Sequence, residues 1–262
     1  MSSIASSRLL TTLTVIVCLC CSGFVLMFGN NHAKLPATIE DPVISFTWDG
    51  KAPPIEPSSW RNDQYKDLED KEIVRLIIEE GLTLWSEVDG SYLRLKLAEV
   101  DESITEKLDS IHSITIAKVD ENSSTLTAGY ARPFPDPHNS SIIIDCDIVI
   151  TGRKQTAKNL ARVIFHELGH CVGLGHPHES FTSLMSYSSA GELSLKADDM
   201  AGVFFLYPES DDHSFSDIYG SACGSLGIYY KNHSPSQTNH LWLIILLSLP
   251  FIIRISSRHI SA

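Results

Sequence analysis

The string His166-Glu167-Leu168-Gly169-His170-Cys171-Val172-Gly173-Leu174-Gly175-His176 carries the densest chemistry in this 262-residue chain. Two histidines four apart on a helix project both imidazoles from one face, about one turn apart. That spacing lets two ring nitrogens meet one zinc ion at ~2.0–2.1 Å. Glu167 lies between them, within reach of a water at the same ion. His176 follows after Gly173, which lies where the helix must turn sharply for a third imidazole to fold back under the metal. Three protein ligands leave a fourth position open, the arrangement of a catalytic rather than a structural zinc site. The competing reading is three histidines on an ordinary amphipathic helix. The glycine and the third histidine at these offsets make the pattern specific.

That string falls on a helix predicted over 156–174, with Thr156 as N-cap and with Gly173 and Gly175 as its stop. Upstream, residues 65–87 carry Ile73, Leu76, Ile77, Leu82 and Trp85 at helical spacing, and Gly81 weakens that helix without ending it. Short strands are predicted at Val43–Trp48, 92–99, 114–119, 126–133 and 142–150. The last sits in SIIIDCDIVIT, dominated by isoleucine and valine and bounded by polar clusters. A Pro, Asp and Asn loop, 133–141, separates the last two strands. A loop over 176–193 leads to a final helix over 194–206, ended by Pro208. This order describes one α+β domain.

Acidic residues outnumber basic ones 32 to 20, a formal charge of −12, which argues against nucleic-acid binding. Hydrophobic content of 43% is that of a globular protein. An uncharged apolar run over 9–28, preceded by Arg8, reads as a secretory signal peptide or an N-terminal membrane anchor. A second apolar run over 241–253 is followed by Arg254 and Arg258. Small residues over 220–225, a polar spacer and this run follow the order of a GPI-attachment signal. The closing arginines fit a tail anchor or a sorting signal better. The expected organisation is therefore 1–33 signal or anchor, 34–208 folded domain, 209–239 polar linker, and 240–262 hydrophobic segment with basic tail. Arginines at both ends would stay cytoplasmic and place the domain outside the cytoplasm, membrane-anchored, at the cell surface or secreted. Of six cysteines, Cys18, Cys20 and Cys21 lie in the first run. Cys146, Cys171 and Cys223 remain, and an oxidising compartment permits a Cys146–Cys171 bridge.

Further strings extend the pattern around the histidines. Ser183-Leu184-Met185-Ser186-Tyr187 follows the third histidine. Leu195-Lys196-Ala197-Asp198-Asp199-Met200-Ala201-Gly202 and Leu84-Trp85-Ser86-Glu87-Val88 complete it. Together with HELGHCVGLGH, these resemble the metzincin metallopeptidases and, within them, the matrixins, over about residues 43–208. The resemblance implies a zincin-like α+β catalytic domain with a twisted mixed sheet, an active-site helix, a Met-turn and a C-terminal helix. It implies that Met185 forms a hydrophobic floor below the metal, and that the final helix closes the domain.

Several features depart from the matrixin pattern. Pro177 follows the third histidine, as in serralysins. Tyr187 follows the methionine by two, as in serralysins and astacins, where that tyrosine binds zinc or steadies the transition state; a structural tyrosine is the other reading. No PRCG-like string precedes the domain, so latency by a cysteine switch is not expected. The strands that carry a second, structural zinc in vertebrate matrixins read Gly129-Tyr130-Ala131-Arg132 and Ile144-Asp145-Cys146, without histidine. Asp136, His138, Asp145 and Asp147 are candidates for calcium, against the reading of a solvated loop. His178 and Glu179 are read as loop. Asn122, Asn139 and Asn232 head glycosylation sequons.

The expected function is zinc-dependent endopeptidase action on extracytoplasmic proteins. His166, His170 and His176 hold the metal and Glu167 is the general base for attack by a zinc-bound water. Tyr187 helps carry oxyanion charge. The substrate, a protein or peptide, adds as a strand near residues 126–133, with residues 183–189 as a pocket wall. The expected state is a monomer with membrane contact only through the terminal segments. A catalytically silent zinc-binding surface module is the alternative.

Overall fold

The computed structural model of the chain describes residues 24–27, 32–117, 128–177, 183–187 and 193–210. All of them belong to one compact unit spanning 1–227. The expectations for residues 1–23, the second apolar run, Cys223, His178, Glu179, Asn122 and Asn232 lie outside the described residues. Among the described residues, no helix is long and apolar enough to cross a membrane.

In chain order the strands are β1 (Val25–Leu26), β2 (Val43–Trp48), β3 (Ile55–Glu56), β4 (Arg94–Leu97), β5 (Ser113–Ala117), β6 (Gly129–Pro135), β7 (Ile143–Thr151), β8 (Gln155–Thr156) and β9 (Leu174–Gly175). The helices are α1 (Asn62–Tyr65), α2 (Asp70–Ser86), α3 (Ala157–Val172) and α4 (Ala197–Leu206). The main sheet has five strands in the order β4-β2-β5-β7-β6. Its pairings are parallel except β6 on β7, which is antiparallel. In β2, Ile44, Phe46 and Trp48 are buried while Val43 and Ser45 are exposed, the period-two signature of a half-covered strand. β7 is buried along nearly its whole length, which is why it reads as an apolar run interrupted by Asp145 and Asp147.

Helix α2 packs over β4, helix α3 over β6 and β7, and the two helices pack on each other. Their contact explains Gly81, where a β-carbon would lie 2.7 Å from the Phe165 ring and 2.9 Å from Leu168. The mixed α+β architecture with its active-site helix and closing helix is the one expected. The element ends differ where side-chain caps decide them. The helix expected from 65 begins at Asp70, because the Glu69 and Glu72 side chains cap each other's backbone N–H groups. The helix expected from 194 begins at Ala197, because the Lys196 N–H donates to the Asp199 carboxylate at 2.9 Å.

Two further features tie the unit together. Cys146 on β7 and Cys171 on α3 form a disulfide with Cα atoms 5.6 Å apart. The chain ahead of residue 34 also packs on the domain. Val25 and Leu26 pair antiparallel with Gly175 and Leu174, and the Met27 N–H donates to the Gly173 carbonyl at 2.8 Å. The Leu35 N–H donates to the Tyr207 hydroxyl at 2.8 Å, just past the closing helix.

Candidate metal centre

Helix α3 presents His166 and His170 one turn apart. Its start is fixed by Thr156, whose hydroxyl accepts from the Asn159 N–H at 3.2 Å. Its end is fixed by Gly173, at φ +112°, a conformation that side-chain-bearing residues rarely adopt. A β-carbon there would also collide with the Ala33 carbonyl. The turn sends β9 back along the helix and delivers His176 to the other two histidines.

The three imidazoles converge. His166 Nε2 is 2.9 Å and His170 Nε2 is 3.1 Å from His176 Nε2. His166 Nδ1 lies 2.8 Å from the Leu184 carbonyl, and His170 Nδ1 lies 2.8 Å from the Leu174 carbonyl. Carbonyl oxygens only accept, so each Nδ1 carries the proton and each Nε2 points a lone pair inward. A single proton on His176 satisfies at most one of those lone pairs at a time; a shared cation satisfies all three. The donor set therefore fits a metal ion. Burial lowers the pKa of His166, and it lowers that of His170 to about 3 with the neighbouring imidazoles adding to the effect. Neutral imidazole is the ligating form. Among the described residues, this is the one cluster of three or more such donors close enough to share an ion.

Glu167 is 8% exposed. Burial pushes its carboxyl up to about 7, and the Ala131 N–H on β6 pulls in the opposite direction by donating to it. The edge strand β6 thus touches the residue between the two helical histidines.

The floor of the site is Met185, 2% exposed. Its sulfur sits against α3 at Gly169, where no β-carbon fits. Trp85 closes the same contact, and its indole N–H donates to the Phe165 carbonyl at 2.8 Å. Sequence reasoning missed the residue that shapes this turn. Buried Asp199 on α4 accepts from the Ser183 hydroxyl, from the Leu184 N–H at 2.8 Å and from the Met185 N–H at 3.2 Å. Those bonds fix the peptide whose carbonyl orients His166. The only signal was the Asp198-Asp199 pair, which reads equally well as ordinary acidic residues in a helix's first turn. The Ala131 contact and strand β1 were likewise not foreseen, since each depends on a tertiary approach.

Tyr187 lies with its ring 3.9 Å from that of His176, tilted by 32°, and is 70% exposed. The four calcium candidates are not gathered at one point. Half-buried Asp136 and exposed His138 lie in the turn after β6, where the His138 N–H donates to Asp136 at 2.7 Å. Asp145 and Asp147 are fully buried on β7.

Fold and site together define a metzincin-type catalytic domain. The chain belongs to the matrixin family, whose model matches residues 54–208. Comparison with curated protein sequences gives no significant match. Among solved structures, one titled "GM1 bound form of the ECX AB5 holotoxin" is similar at a TM-score of 0.41 and 15% identity, covering 71% of this chain and 87% of that chain. That likeness is too distant to bear on function. Matrixins are zinc metallopeptidases acting on proteins, and a metallopeptidase assignment at that level follows from membership.

Proposed function

We propose that this chain is a zinc-dependent endopeptidase, with His166, His170 and His176 as its metal ligands and Glu167 as its general base. The observation that carries the reading is the convergence of three imidazole nitrogens beside a buried carboxyl. When bound, zinc supplies Lewis acidity, acidifying a water and polarising a carbonyl. Glu167 takes the proton of the attacking water and passes it to the departing amine nitrogen. A carboxyl raised to about 7 by burial is matched to that exchange near neutral pH. The Ala131 N–H orients it. Tyr187, whose exposed ring lies against that of His176, donates its hydroxyl to developing oxyanion charge in this reading. The peptide adds along the outer edge of β6, which pairs only with β7 among the described residues, as an extra strand in the main sheet.

The domain of this reading is 34–208, set outside the cytoplasm. The Cys146–Cys171 bridge supports that compartment, because such bonds persist where the surroundings are oxidising. Val25 and Leu26 pair on β9, and the part of the apolar run ahead of this paired segment is 9–23. That is less than the ~20 residues of a spanning helix and close to the apolar core of a signal peptide. Segments 209–239 and 240–262 are read as linker and as a terminal hydrophobic segment with basic tail.

The test is hydrolysis of a quenched-fluorescence peptide library by the zinc-loaded full chain. The reading expects internal peptide bonds to be cut, cutting to stop on chelation, and zinc to restore it. Absence of cleavage in every pool, with zinc bound, contradicts it.

A further inference from the structure

Edge strand β6 places Gly129, Ala131 and Pro133 on one face and Tyr130, Arg132 and Phe134 on the other. The first face turns toward α3. A β-carbon on Gly129 would lie 2.7 Å from Val163, and Ala131 packs against the core. The second face carries an ion pair that nothing in the metal centre requires. Glu106, in the loop between β4 and β5, accepts from the Tyr130 hydroxyl at 2.7 Å and from the Arg132 guanidinium at 3.1 Å. The guanidinium also lies over the Phe134 ring, 5.1 Å from its centre.

The loop bearing Glu106 is not free to drift. The Asp109 and Ser110 N–H groups donate to Asp145 at 2.8 and 3.1 Å, and the Lys107 N–H donates to Asp147. Both aspartates are fully buried on β7, so the loop is fastened across the outer face of the sheet. Glu106 therefore meets β6 from a fixed support. Partial desolvation of the 42%-exposed Tyr130 and the Glu106 carboxylate beside it push the hydroxyl's pKa up to about 12.

A peptide paired with β6 places every second side chain on this outer face, about 4.5–5.5 Å from the β6 side chain opposite. Arg132 is the cation at that position, with its side chain 61% exposed, and one guanidinium nitrogen already turned to Glu106. A guanidinium has further N–H groups, in the fork geometry that suits a carboxylate.

We propose that Arg132 is a specificity-determining residue: it selects peptides with an acidic side chain on the outer face, and Glu106 positions the guanidinium while weakening its pull. This rests on the endopeptidase reading above. Arg132 follows Ala131, which contacts Glu167, so the selected side chain lies within a residue or two of the scissile bond.

The experiment scans Glu, Gln and Lys through each position of a cleaved peptide, with the zinc-loaded full chain, at low salt. An exposed charge pair is worth little, so the expected preference for Glu over Lys is about two- to fivefold at one position. Arg132→Gln is expected to bring that ratio to about one, and Arg132→Glu to invert it. Glu106→Gln keeps the side chain's size and removes its charge, and is expected to raise the preference for Glu above that of the wild type. A ratio near one at every position in wild type, or the same ratio in wild type and Arg132→Gln, overturns the proposal while leaving the endopeptidase reading intact. A wild type that cleaves nothing overturns the endopeptidase reading, and this proposal with it.

Discussion

Replacing both Cys146 and Cys171 by alanine removes the disulfide between the interior strand β7 and the active-site helix. The two residues are 25 apart in sequence. Cross-linking a loop of that size removes unfolded-state entropy equivalent to about 3.5 kcal/mol at 25 °C on the chain-entropy relation. For a domain of this size, each kcal/mol shifts the midpoint of thermal unfolding by roughly 2–4 °C. The double variant is expected to melt about 7–14 °C below the wild type. Both sulfurs are fully buried, so truncating them also loses packing and places the loss at the upper end. The assay is thermal and urea unfolding of the two proteins at one saturating zinc concentration, so that metal binding does not differ between them. A loss below about 1 kcal/mol refutes the entropy reasoning. A changed urea m-value with little change in midpoint would place the effect in the denatured state instead.

Gly169→Ala forces a methyl into Met185 and to 2.7 Å from the Trp85 ring; overpacking of this kind costs about 1–3 kcal/mol in urea unfolding, and weaker zinc affinity is expected with it. Asp199→Asn turns an acceptor into a donor facing N–H and O–H groups, leaving buried donors unpaired at a cost of about 2–4 kcal/mol; a far-ultraviolet spectrum unchanged with zinc affinity reduced would show the loss to be local to the Met-turn. Asp147 is pushed up to about 6 by burial and by neighbouring Asp145. A folded-state pKa above the ordinary 3.8 means that stability is fully present below pH 3.8 and is lost as pH rises toward 6. Asp147→Asn is expected to flatten the slope of unfolding free energy over that window, and an unchanged slope counts against the burial argument.

The clustering of the three histidines was legible because its geometry is local. Histidines four apart share a helix face, and Gly173 is the residue a left-handed cap requires, so helix, turn and third ligand follow from one short string. The Cys146–Cys171 pairing was open to sequence reasoning for a simpler reason: three of the six cysteines sit in the first apolar run. The starts of α2 and α4 were misplaced because Glu69 and Lys196 lie outside the usual set of capping residues. What supports the centre was not legible. Asp199 reaches back to 183–185, Ala131 approaches Glu167 from an edge strand, and Val25 and Leu26 leave an apolar run to pair with β9. Each of these is set by the packing of elements far apart in the chain.

The central claim is that a histidine-held zinc and Glu167 act together on a peptide bond. The most direct measurement is zinc content and turnover of one reference peptide, on the same samples of wild type and Glu167→Ala. The account predicts about one zinc per chain in both, as a single three-histidine site implies, with turnover lower in the variant by about 10²–10⁴. Equal turnover in the two proteins, or about one zinc per chain still held by a variant with His166, His170 and His176 replaced, would contradict it.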